Sequence, residues 1–98
     1  MTIERGDFFV VTRGFEYAGL PPATETKPQY SREHEGRIYR ADEVCGPMVA
    51  ATVIATTKGY GPKVGQTISL NTTEVEVMTV TTEYVRLVGR AVEQDSAR

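Results

Sequence analysis

Between Gly36 and Thr57 the segment GRIYRADEVCGPMVAATVIATT divides into two apolar arms, which predict two long β-strands meeting at Cys45-Gly46-Pro47-Met48. The second arm, Met48 to Ala55, has no polar residue except Thr52 and is rich in Val and Ile, so both of its faces are expected to be covered. The first arm is mixed. Ile38 and Val44 share one parity, Tyr39, Ala41 and Cys45 share the other, and Arg40, Asp42 and Glu43 interrupt both, which suits a strand with one wet stretch. Ile3 to Thr12 predicts an earlier strand, with Gly6-Asp7 supplying a turn or bulge before Phe8, Phe9, Val10 and Val11. Adjacent Phe side chains point to opposite faces of a strand, so one packs inward and the other needs cover.

The pattern breaks between Gly14 and Glu35. Pro21-Pro22 and Lys27-Pro28 deny this stretch regular structure, and a loop of about twenty residues is long for a compact domain, where such loops are usually functional or disordered. Its aromatic residues Phe15, Tyr17 and Tyr30 suggest that parts of it fold back onto the body. After the hairpin, KGYGPKVGQ predicts a connection that presents Lys58, Tyr60 and Lys63 at its tip. Gln66 to Leu70 alternates, with Ile68 and Leu70 on one face, and Asn71-Thr72-Thr73 turns the chain. Glu74 to Val80 is a further predicted strand whose period-2 pattern slips by one near Val77-Met78, as a β-bulge would make it.

The final segment, TTEYVRLVGRAVEQDSAR, supports two readings. In one, Thr81 or Thr82 caps a helix whose apolar stripe is Tyr84, Val85, Leu87, Val88, Ala91 and Val92, with Gly89 opposing it by roughly 1 kcal/mol. In the other, a 3₁₀ turn at Thr82 to Tyr84 leads into a short strand, Val85 to Val88. Residues 1–93 are expected to form a single domain, with 94–98 a frayed tail.

Composition narrows the function classes. The 98 residues are 40% hydrophobic and 24% charged, a globular composition in which one core is feasible without staples. A net charge of −2, with no strongly basic third of the chain, argues against a protein built mainly to hold a phosphate backbone. One Cys makes no internal disulfide, no apolar run approaches the ~20 residues of a membrane span, and Glu4, Arg5 and Asp7 stand where a signal peptide needs an apolar core. The expected location is cytoplasmic, with no membrane partner.

The order of strand, long loop, hairpin, glycine-rich loop, strand, turn, strand and closing turn resembles the small SH3-like barrels. ERGDFFVVTRG is similar to the entry strand of such barrels, and TTEYVRLV to the closing turn of SH3 domains. ISLNTTEVEVM is similar to the acidic closing strand of SH3-like accessory subunits of photosynthetic electron transport. The resemblance implies an all-β fold: a barrel of about five to six antiparallel strands with a long N-proximal loop and a short C-terminal helix or 3₁₀ turn. It does not carry peptide specificity, since the chain has no Ala-Leu-Tyr-Asp-Tyr strand and no Trp.

Candidate chemistry is sparse. His34 lies between Glu33 and Glu35, whose carboxylates are expected to favour its charged form, and no nucleophile is nominated nearby. Cys45, beside Asp42 and Glu43, reads as an unreactive strand thiol. One Cys and one His leave a tetrahedral metal site two ligands short, and the Gly59, Gly61 and Gly65 loop matches no phosphate-binding spacing. Glu74 and Glu76 read as a solvated edge. Arg13, Arg32, Arg37 and Arg40 with Tyr30 and Tyr39 offer a stacking and phosphate surface, but interspersed acidic residues make it a mixed one. The reading is of a non-enzymatic module without cofactor or metal that binds another protein through Tyr17, Tyr30, Arg32, Arg37 and Tyr60. A nucleic-acid-binding small barrel and a subunit of a homo-oligomer or larger assembly are the alternatives.

Overall fold

The computed structural model describes residues 2–16 and 30–96, with only the backbone of 90–96. The described chain is mainly β. Strands β1 (Phe8–Arg13), β2 (Arg37–Cys45), β3 (Met48–Thr56), β4 (Thr67–Asn71) and β5 (Glu76–Val80) precede one helix, α1 (Thr82–Ser96). They form one open sheet in the order β4-β3-β2-β1-β5, every neighbour antiparallel, with β4 and β5 at its edges.

The hairpin forms where the pattern places it, from Arg37↔Thr56 to Cys45↔Met48. Its turn is Gly46-Pro47, and Gly46 takes φ 58°, the positive value that the first central position of a type II′ turn requires. Two register shifts, at Ile38/Tyr39 and Ala41/Glu43, bend the pair. In β3 the odd positions Val49, Ala51, Val53 and Ala55 are buried, whereas the even positions are half-buried or, at Met48, exposed. The cover expected on both faces is therefore complete on one.

The core gathers on one side of the sheet: Ile3, Phe9, Val11, Tyr39, Ala41, Val49, Ala51, Val53, Leu70 and Val75. Phe9 is the inward member of the Phe pair and stacks on Tyr39 at 5.5 Å, while Phe8 is half-buried. Ile38 and Ala55 are buried outside that cluster. Tyr84 and Val88 of α1 share with Val10, Val11, Ile38 and Thr57 a cleft of about 280 Å³.

Three boundaries differ from the pattern. β1 starts at Phe8 rather than Ile3, because Glu4 to Asp7 closes on itself: the Asp7 amide donates to the Glu4 carbonyl and the Glu4 amide to Asp7 Oδ2. β5 starts at Glu76 rather than Glu74, because Asn71 Oδ1 accepts from both the amide and the hydroxyl of Thr73 and prolongs the turn. The slip expected at Val77-Met78 lies instead across the ladder in β1, between Val11 and Arg13. Of the two C-terminal readings the chain takes the helix. Thr81 is its cap, its hydroxyl accepting from the Tyr84 amide at 3.1 Å, and the helix continues through Gly89 and past Gln94 to Ser96. No helix among the described residues is long and apolar enough to cross a membrane.

Candidate functional site: the junction of the 31–36 and 58–65 loops

β1 and β2 pair only at Phe8↔Arg40 and Phe9↔Tyr39. Above that point the chain must cover the end of the core with loops, and it does so with residues 31–36 and 58–65. β2 alternation sends Arg37, Tyr39 and Ala41 to the same side. Arg37 thereby enters the cover, and is only 1% exposed. Its Nε donates to the Pro62 carbonyl at 2.7 Å and its Nη1 to the Glu35 carbonyl at 2.8 Å. Nη2 is buried and has no hydrogen-bond partner among the described residues. The Tyr60 ring lies over the guanidinium carbon at 5.4 Å. Gly61 makes this approach feasible: at φ 72°, a Cβ there would stand 2.7 Å from both Arg37 Nη2 and the Glu33 carbonyl.

His34 completes the cluster. It is buried, its Nδ1 lies 2.8 Å from the Tyr39 hydroxyl, and its Nε2 lies 3.3 Å from Glu33 Oε1. An acceptor-only carboxylate beside Nε2 favours the tautomer with hydrogen on that atom, which leaves Nδ1 to accept from the Tyr39 O–H. The charged form expected from the sequence is not the favoured one. Burial lowers the His34 pKa most, Glu33 raises it and Arg37 lowers it further. Tyr39, fully inside, has its pKa pushed up to about 12, chiefly by burial.

The five residues read as a partner surface are divided by the structure. Arg37 is beneath the surface rather than on it, because its strand position points it into the cover, where two carbonyls hold it. Tyr60 is half-exposed and roofs Arg37, so it packs as well as projects. Arg32 is exposed, its Nε donating to Glu35 Oε2 at 2.8 Å, and lies near the Tyr60 hydroxyl. Tyr30 belongs to a different place: Arg13 lies over its ring at 5.0 Å beside a cleft of about 360 Å³ lined by Phe15, Glu16, Thr73 and Glu74. Tyr17 lies outside the described residues.

The phosphate surface considered from sequence does not assemble. Tyr39 and Arg37 are buried, and Arg13, Arg32 and Arg40 each face a carboxylate, on Glu76, Glu35 and Asp42 respectively. Asp42 also accepts from the Thr52 hydroxyl, and these two bonds hold its pKa below the usual value. Cys45 sits exposed at the hairpin tip, on the order of 25 Å along β2 from Arg37 at strand rise. Among the described residues no group of three His, Cys, Asp or Glu side chains is placed to hold a metal ion.

Three groups of the cluster were hidden from sequence reading. Tyr39 reads there as a strand aromatic, and its bond to His34 needs the 33–36 turn to fold back over it. The Pro62 and Glu35 carbonyls that hold Arg37 are backbone groups, which no residue type announces. No protein-family model matches the chain, and no curated protein or solved structure matches it.

Proposed function

We infer that the chain is a non-enzymatic protein-binding module built on a small SH3-like barrel, with the junction of the 31–36 and 58–65 loops as its contact surface. One observation carries the reading. Tyr60 is 48% exposed, yet its ring is held against the buried Arg37 guanidinium. An aromatic fixed in place while half in solvent contributes contact area with little rotamer entropy to lose, and interfaces concentrate their energy in such residues. The exposed Arg32 beside it adds a charge at the rim. The strand order, with β1 between β2 and β5, is compatible with SH3-like connectivity.

The test is a pull-down from the native host with the wild-type chain and with Tyr60→Ala. A specific partner should be retained by the first and weakened by about 1 kcal/mol or more in the second, with the fold kept. A partner that binds both equally would overturn the assignment of the surface. Affinity should change little with salt, because a mixed interface releases few counterions; a steep slope would favour the nucleic-acid alternative instead.

A further inference from the structure

Arg37 is a permanently charged group inside the protein, and no carboxylate among the described residues forms an ion pair with it. The two carboxylates that flank it in the loop face elsewhere: Glu33 Oε1 stands by His34 Nε2 and Glu35 Oε2 accepts from Arg32. Among the described residues its acceptors are two neutral carbonyls, and Nη2 has none. A buried cation left with an orphan donor is costly to keep, unless something outside the chain completes it.

The cover over Nη2 is thin. Gly61 lies against it and Tyr60 over the guanidinium, and both are exposed on their outer side. Among the described residues no hydrogen bond ties Gly59, Tyr60 or Gly61 to the rest of the protein; the loop is anchored at its two ends, at Lys58 and at Pro62, Lys63 and Gly65. Gly59 has open space around it. Among the described residues the tip is held by the Tyr60 stack on Arg37 rather than by hydrogen bonds, so lifting it costs that one contact while its ends stay bonded.

We propose that Arg37 is the floor of a carboxylate-binding pocket beneath the Tyr60-Gly61 tip, and that the partner's contribution to it is an acidic side chain. A carboxylate oxygen entering there would accept from Nη2 and supply the missing counter-charge, with Arg32 at the rim to draw it in. Nη2 carries two N–H donors, enough to hold one carboxylate group. Glu33 and Glu35 beside the tip make a second charge on the same bound group costly, so a singly charged carboxylate suits the place better than a phosphate dianion. The proposal rests on the protein-binding reading and gives its partner a chemistry.

The test is a titration of the whole chain, followed by NMR at the Arg37 Nε–H, the Gly61 amide and the His34 ring, with three probes: hexaglutamate, hexaglutamine and inorganic phosphate. Hexaglutamate is expected to shift Arg37 and Gly61 saturably, and hexaglutamine to leave them in place. His34 faces Glu33, Tyr39 and Arg37, and Arg37 helps to keep it neutral, so a bound carboxylate should move the His34 titration to higher pH. Tyr60→Ala removes the cover and should tighten hexaglutamate about threefold or more, since an open state no longer has to be populated first. Shifts confined to Arg32, a tip that phosphate moves as strongly as hexaglutamate, or a persistent bound water at Nη2 with no probe effect would each overturn the pocket. The same variant separates the two readings. A partner lost in Tyr60→Ala, with no hexaglutamate effect on Arg37, leaves the surface standing and removes the pocket; the reverse removes the surface.

Discussion

His34 Nδ1 and the Tyr39 hydroxyl lie 2.8 Å apart inside the protein, so the one imidazole of the chain is bonded to a core tyrosine. Burial lowers the His34 pKa in the fold, whereas the unfolded chain keeps the ordinary value near 6.5. Below that value the unfolded state takes up a proton that the folded state resists. Stability from His34 is therefore full above about pH 6.5 and is lost as pH falls through the lowered folded value. Urea midpoints should drop between pH 7.5 and pH 5, and His34→Gln should flatten that slope. Equal slopes for both proteins would show that His34 is not the group responsible.

The same bond has an alkaline consequence at Tyr39. Its raised pKa, about 12 against 10, favours the neutral phenol in the fold, so this stability is complete below pH 10 and lost as pH rises toward 12. Tyr39→Phe should cost roughly 1–3 kcal/mol, because it leaves His34 Nδ1 buried without its donor. Denaturant unfolding at neutral pH measures it, and a neutral result would mean that the hydroxyl contributes nothing net.

Gly14 and Gly59 should respond oppositely to Ala. A Cβ on Gly14 would overlap the Ser31 carbonyl oxygen, a backbone atom held by the Ser31 amide's bond to the Phe15 carbonyl. Gly14→Ala should therefore destabilise the protein by roughly 1–3 kcal/mol or more, through forced backbone shifts. Gly59 has no neighbour within 4 Å and no positive φ, so Gly59→Ala should be neutral or stabilising by up to about 1 kcal/mol. Thermal melts of the pair decide it: a tolerated Gly14→Ala would mean that the 14–16 and 30–31 segments are not packed as described.

Gly89 sits inside α1 with open space where a Cβ would go. Gly89→Ala should raise stability by up to about 1 kcal/mol and increase the helical circular dichroism signal. A signal that does not grow would show that the segment is not helical in solution.

Val53 is 1% exposed and Ile54, unpaired at the register shift opposite Ile38/Tyr39, is half-buried. Val53→Asp should unfold the domain, since it places a charge in the core without a partner, whereas Ile54→Asp should retain a dispersed NMR spectrum with lower stability. Equal tolerance of the two would reverse the assignment of the inward face of β3.

The sequence by itself determined the elements whose cause is local. The two apolar arms of Gly36 to Thr57 are enough to mark a hairpin, Gly46-Pro47 supplies its turn, and Ile68 with Leu70 marks one face of β4. The helix was already one of two readings, because Thr81 and the Tyr84 to Val88 spacing are local signals. Tertiary structure decided what depends on distant backbone. Whether Glu74 is strand or turn depended on the Asn71 bonds, and the bulge passed to β1 because register is a property of the ladder rather than of one strand. The site followed the same division. Tyr60 and Arg32 were legible as loop residues free to project. Arg37 was not legible as buried, since a permanently charged side chain reads as exposed and its holders are carbonyls 25 and two positions away. Nor was the state of His34: sequence shows the two adjacent carboxylates, but the desolvation that outweighs them exists only once the 33–36 turn lies over Tyr39.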